Sequence, residues 1–215
     1  MVFSSLRSIP QATLLRGGRG REEKRKIAGR PLGEDTCRFA ATERGRRLIL
    51  TRHLGRRTAR DAQGLIEKLN GVTAGHFQVT TNGFPPYFDA VETSPGTRVD
   101  WSQLIKLCGA ANYDEHRYSP PRVIGAIAKP MRGNPDPEKI SRSPVERQNL
   151  TKRMQMRRLT RLADAFWKKW EKLYAMLALY FPWYNFCRIH QTLRITPAME
   201  RGITNHVWVI RELFR

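Results

Sequence analysis

Cysteine is scarce in this sequence and poorly arranged for bonding. The 215 residues contain three, Cys37, Cys108 and Cys187, far apart and with no CxxC pair. An odd, dispersed set supports neither a disulfide framework nor a zinc ribbon, and a reducing cytosol is the simpler expectation. Acidic residues are also few: 19 Asp and Glu stand against 39 Lys and Arg, for a formal charge of +20. That imbalance favours a polyanionic partner, because basic side chains that neutralise phosphates release condensed counterions. The bland alternative is a non-specifically basic surface of the kind a ribosome-associated protein carries. Long hydrophobic runs are missing. The opening "MVFSSLRSIP" is too broken for a secretory h-region. Leu173 to Phe186 is apolar but too short to span a bilayer, and Pro182, Asn185 and Arg188 interrupt or close it. No P-loop, dinucleotide fingerprint, HExxH or nucleophile elbow occurs.

What is present is an apolar content of 40%, enough for one sizeable core or two small ones. Residues 1–34 are rich in Gly, Arg and Lys without periodicity and read as a flexible basic segment. Thr36–Ala41 and Arg46–Thr51 read as two strands, with "ERG" turning between them. Thr58 caps a helix that runs to Gly71, with Asp61 three residues on and Leu65, Ile66 and Leu69 on one apolar face. His76–Thr81 reads as a strand, "PPYFDAVETS" as a helix with Pro at its start, and Arg98–Gly109 as an edge strand. Residues 110–142, punctuated by Pro and Gly, read as a long loop around one short strand. From Ser143 the pattern turns helical, with a second helix over Phe166–Tyr184 and short helical pieces at Pro197 and near the end. The order of strands and helices implies an α/β layer.

Three positions could supply oxygen ligands to a pair of divalent ions, which sit ~3.5–4 Å apart in phosphoryl-transfer centres. They are Glu43 after the first strand, Asn82 at the end of "QVTT", and Glu146 on the helix beginning at Ser143. Asp35, Asp61 and Asp89 are poorer alternatives. Each has an ordinary reading beside it. Glu146 also fits as the capping-box partner of Ser143, Glu43 as a solvated turn residue, and Asn82 offers only a neutral amide oxygen. Arg147, Lys152, Arg153, Arg157, Arg158 and Arg161 crowd fifteen residues, and Arg153, Arg157 and Arg161 share one helical face. With few acids nearby, that row suits phosphates, which position a backbone without reading its sequence. His190, between Arg188 and Arg194, could donate to a phosphate or a carboxylate. The aromatics from Trp167 to Phe186 read as core anchors.

The segments "TTNGFPPY", "YSPP", "GNPDPEKISRSPVERQNLTKRMQMRRLTRLADAF" and "ALYFPWYNFCRIHQTLRITPAMERGI" resemble bacterial insertion-sequence transposases of the insertion-sequence-one type. The resemblance spans residues 36–210 and is tightest over 139–203. It implies a ribonuclease-H-like core with a mixed sheet flanked by helices and a long C-terminal helical region. Residues 35–190 would be that core, 110–142 its insertion, and 191–215 a tail packed on it. It further implies a DDE centre that binds Mg²⁺, or Mn²⁺ as a substitute, for DNA strand cleavage and 3′-end joining. The partners would be terminal inverted repeats and target DNA, with a homo-oligomer formed on the DNA in the bacterial cytoplasm. By this resemblance the catalytic and metal-binding set is Glu43, Asn82 and Glu146, with Asn82 standing where the family has Asp. Arg147, Lys152, Arg153, Arg157, Arg158, Arg161 and His190 would touch DNA. The missing acid at Asn82, and the absence of a helix-turn-helix or zinc ribbon in the first 34 residues, give the alternative expectation: a shortened, catalytically impaired DNA-binding remnant.

Overall fold

A computed structural model describes residues 11–16, 37–109, 123–156 and 170–214. One six-stranded sheet organises them. Its strands are β1 (Gln11–Arg16), β2 (Cys37–Glu43), β3 (Ile49–Gly55), β4 (Phe77–Thr81), β5 (Val99–Cys108) and β6 (Val123–Arg132), in the spatial order β3-β2-β1-β4-β5-β6. β1 pairs antiparallel with β2 and parallel with β4, β4 and β5 are parallel, and the β2–β3 and β5–β6 pairs are antiparallel.

Three expectations change here. A strand occupies Gln11–Arg16, inside the segment read as flexible. A Gly- and Arg-rich composition hides a six-residue strand because "QATLLR" has too little alternation to announce itself; its placement depends on tertiary pairing with β2 and β4. The stretch read as mostly loop contains a ten-residue strand, β6, so β6 and not β5 forms that edge of the sheet. Residues 110–122 of that stretch lie outside the described residues.

The β2–β3 turn closes through the Glu43 N–H donating to the Leu48 carbonyl at 2.8 Å, with Arg47 in the left-handed region at φ 59°. Helix α1 (Ala59–Val72) starts as its sequence dictates: the Thr58 hydroxyl accepts from the Asp61 N–H. It buries Ala62, Leu65, Ile66 and Leu69 against the sheet, where each of the larger side chains contributes about 1.5–3 kcal/mol of transfer free energy. Gly55 permits the close approach of β3 and α1, since a Cβ there would stand 2.0 Å from Asp61 Oδ1. Helix α2 (Tyr87–Thr93) packs beside α1. Together they cover Phe39, Ala41, Phe77, Val79, Val99 and Trp101, which form the main core.

The opposite face is covered by α3 (Ser143–Gln155) and α4 (Trp170–Pro182), the latter running into a π-turn over Trp183–Cys187. Ile49, Met156, Leu173, Leu177, Tyr180, Phe181 and Tyr184 make a second cluster there, the α4 members recurring at helical spacing. The Asn185 amide accepts from the Ile49 N–H at 3.0 Å and donates to the Ile49 carbonyl at 2.9 Å, fastening the π-turn to β3. A short helix α5 (Pro197–Glu200), capped by Thr196 as its sequence implies, and a 3₁₀ turn over Ile210–Phe214 follow. Trp208 stacks on Phe186 at 4.5 Å and ties this tail to the π-turn. Among the described residues no helix is long and apolar enough to cross a membrane.

Candidate nucleic-acid interface

The three positions read as metal ligands sit in three different settings. Glu43 ends β2, the second strand and not the first. Its side chain is buried, with Oε1 accepting from Arg46 at 2.7 Å and Oε2 3.9 Å from Arg201. Across the sheet Glu43 lies beside Ala12 of β1, which lies beside Val79 of β4. Asn82 is therefore about 10 Å away laterally and about 10 Å further along the strand direction by ordinary strand spacings. The strand between β2 and β4 is β1, and "QATLLR" contains no carboxylate. Asn82 turns its Oδ1 back to accept from the Phe84 N–H at 3.2 Å, a local turn bond.

Glu146 is on the first turn of α3, as expected, but does not cap it. The helix begins at Ser143 itself, its cap position is Arg142, and no side chain caps it. The Glu146 carboxylate instead accepts from Lys106 of β5 at 2.6 Å and lies 3.5 Å from Arg142. Both carboxylates thus face cations, Glu43 through a hydrogen bond on Oε1 and a longer approach to Oε2, and Glu146 through Lys106 and Arg142. Among the described residues no group of three or more His, Cys, Asp or Glu stands together so as to hold a metal ion. The expectation of a DDE centre, of bound Mg²⁺ or Mn²⁺ and of metal-dependent strand transfer is corrected accordingly.

The basic residues divide as well. Arg147 is exposed on α3. Lys152 is not on that surface: it is 2% exposed, and its ammonium has no hydrogen-bond partner. It lies 5.4 Å from the Phe181 ring centroid. Burial, then Arg38 and Arg153, push its pKa down to about 7. A helical face repeating Val145, Gln148 and Lys152 meets the sheet, which is why Lys152 turns inward while Arg147 turns out. Arg157, Arg158 and Arg161 lie outside the described residues.

His190 is half-buried, and burial, then Arg188, Arg47 and Arg147, hold its imidazole below the usual histidine range. Its Nδ1 has no hydrogen-bond partner among the described residues. Three guanidinium groups act on His190: Arg47 from the β2–β3 turn, Arg147 from α3 and Arg188 just after the π-turn. Arg46 and Arg201 flank the same turn through Glu43. The turn arginines were missed in the sequence because "ERGRR" reads as a connector. The usable signal was three arginines within the five residues Arg44–Leu48, denser than a tight turn needs. Sequence reasoning also passed over the His53–Asp61 pair at 2.8 Å. Burial would raise the Asp61 carboxyl, but the Thr58 hydroxyl, His53 and the Arg56 N–H hold it below the ordinary carboxylate value. With Lys68 on His53 Nδ1 at 3.3 Å, this group staples α1 to β3.

Compared with known proteins, the chain matches no family model, no curated protein and no solved structure.

Proposed function

We propose that this chain is a non-catalytic nucleic-acid-binding protein on a ribonuclease-H-like scaffold, a remnant related to insertion-sequence transposases, and that DNA is its partner. The observation that carries the reading is the pairing of both candidate carboxylates with cations. Glu43 faces Arg46 and Arg201, and Glu146 faces Lys106 and Arg142, so each carboxylate is neutralised by guanidinium or ammonium groups where a metal-binding enzyme gathers carboxylates around the ion. The mixed sheet supports the scaffold: its first strand stands centrally, between an antiparallel hairpin and two parallel strands, and a Glu-bearing helix follows the last hairpin. The convergence of Arg47, Arg147 and Arg188 on His190 supports phosphate contact, since a grouped set of guanidinium donors grips a phosphate backbone without reading bases.

The test is fluorescence anisotropy with a labelled duplex oligonucleotide over a salt series. About four phosphate contacts predict that affinity falls roughly a hundredfold between 50 and 200 mM salt. Arg147→Glu should weaken binding several-fold and flatten that slope, while the same oligonucleotide stays intact in Mg²⁺ for wild type and for Asn82→Asp. Salt-independent affinity would remove the reading, and so would cleavage by the wild-type chain.

A further inference from the structure

The free edge of β3 carries a groove that the nucleic-acid reading does not use. β3 ends the sheet, so among the described residues no strand lies beyond Ile49–Gly55. Lys68 of α1 forms one bank, and Tyr174, Leu177, Phe181 and Pro182 of α4 form the other. Between them runs a cavity of about 680 Å³. At one end the Asn185 amide already does what a neighbouring strand would do, taking the N–H and the carbonyl of Ile49.

The charges facing the groove have one sign. Arg38, Arg52, His53 and Lys68 line it, and among the described residues no carboxylate does. Asp61, which touches the lining through His53, is engaged by His53, Thr58 and the Arg56 N–H. The Arg52 guanidinium lies 5.9 Å from the Tyr174 ring centroid and 5.4 Å from that of Phe181, so cation and aromatic surface form one wall.

We propose that this groove binds an acidic peptide in extended conformation, added as a strand along β3. An edge strand offers backbone donors and acceptors at a spacing that another peptide backbone matches and a sugar–phosphate chain does not. Alternate side chains of an added strand point to opposite sides, so one set meets the cations and the other the aromatic bank. A second copy of this chain is a poor occupant, because it brings a formal charge of +20 to a basic edge. β3 has seven residues and spans about 23 Å, which sets the length of segment that fits.

The probe is a fluorescein-labelled peptide of alternating Glu and Val, matched to β3 in length and titrated into the full chain at physiological salt. Three comparators accompany it: the same peptide N-methylated on alternate residues, its Lys-for-Glu counterpart, and single-stranded DNA. The Glu peptide binds, and N-methylation, which keeps charge but removes strand pairing, weakens it about tenfold. Lys68→Glu, at an exposed position, weakens the Glu peptide while leaving duplex DNA affinity unchanged. Hydrogen exchange of the Ile49–Gly55 amides slows in the complex. The proposal is overturned if the N-methylated peptide binds as tightly as its parent, since charge alone then explains binding. Displacement by single-stranded DNA with the same β3 protection overturns it in favour of a nucleic-acid groove. No measurable binding of the Glu peptide also overturns it. None of these results depends on whether the duplex-binding experiment succeeds.

Discussion

The two faces of the sheet are built from different chemistry. Under α1 and α2, Phe39, Ala41, Phe77, Val79, Val99 and Trp101 form a dry layer. One polar contact marks it, the Trp101 Nε1–H donating to Thr81 Oγ1 at 2.9 Å. Under α3 the facing groups are Arg38, Thr42, Gln78, Thr80, Ser102 and Lys106, met by Gln148 and Lys152. Buried atoms on that side lack partners, among them Thr42 Oγ1, Gln148 Nε2 and Lys152 Nζ. An unpaired buried donor costs about 1–3 kcal/mol, so these atoms offset part of what the apolar cluster on the same face contributes. The difference is one of composition: polar groups on the second face occupy positions that are apolar on the first.

The largest effect that would sharpen this contrast comes from the dry face. Trp101 is fully buried against α2, with Phe88 at a centroid distance of 5.9 Å. Trp101→Ala should cost about 3–5 kcal/mol, read as a lower urea midpoint at an unchanged slope. A loss below ~1 kcal/mol would show that this layer is not the main source of stability.

How far this division was legible in the sequence differs by element. Thr58 with its 3.6-period apolar face gave α1, "HFQVTT" was read as the strand that became β4, and Thr196-Pro197 gave α5, because caps and periodicity are local signals. Gln11–Arg16 was illegible, since its place in the sheet is decided by β2 and β4. Lys152 was misread for a related reason. A row of basic residues looks solvent-facing, and only the inward turn of the Val145–Gln148–Lys152 face shows otherwise. Glu146 was placed on its helix, but its partner Lys106 lies forty residues away on β5, beyond any spacing argument. The basic cluster was legible at Arg147 and His190 and not at Arg47, whose neighbours are set by the hairpin.

Lys152 gives the next largest effect and acts on the polar face. Its folded pKa of about 7 lies below the ordinary 10.5, with burial as the main cause. Between those two values the unfolded chain keeps a proton that the folded chain has released. Stability should therefore rise with pH across that window, by up to about 1.4 kcal/mol per unit. Lys152→Met keeps the volume, removes the buried charge, and should flatten the rise while adding about 2 kcal/mol at pH 7. Denaturation curves at intervals from pH 6 to 10 read both. A wild-type profile that is already flat would mean that the ammonium has a partner, and the contrast between the faces would lose its strongest member.

The smallest effect tests what Glu146 does at the border of that face. Its carboxylate is 38% exposed between Lys106 and Arg142, and half-exposed ion pairs contribute about 0–1 kcal/mol. Glu146→Gln should hence leave stability nearly unchanged. On the proposed DNA-binding reading it should raise DNA affinity about threefold at low salt, because it removes one negative charge from a basic surface. A metal ligand would behave in the opposite way. Mg²⁺ would raise the melting temperature of the wild type but not of the variant, and the substitution would bring no gain in DNA affinity. Melting curves with and without Mg²⁺, run beside the anisotropy titration, separate the two roles. The cation pairing of Glu146 predicts melting temperatures indifferent to Mg²⁺ in both proteins.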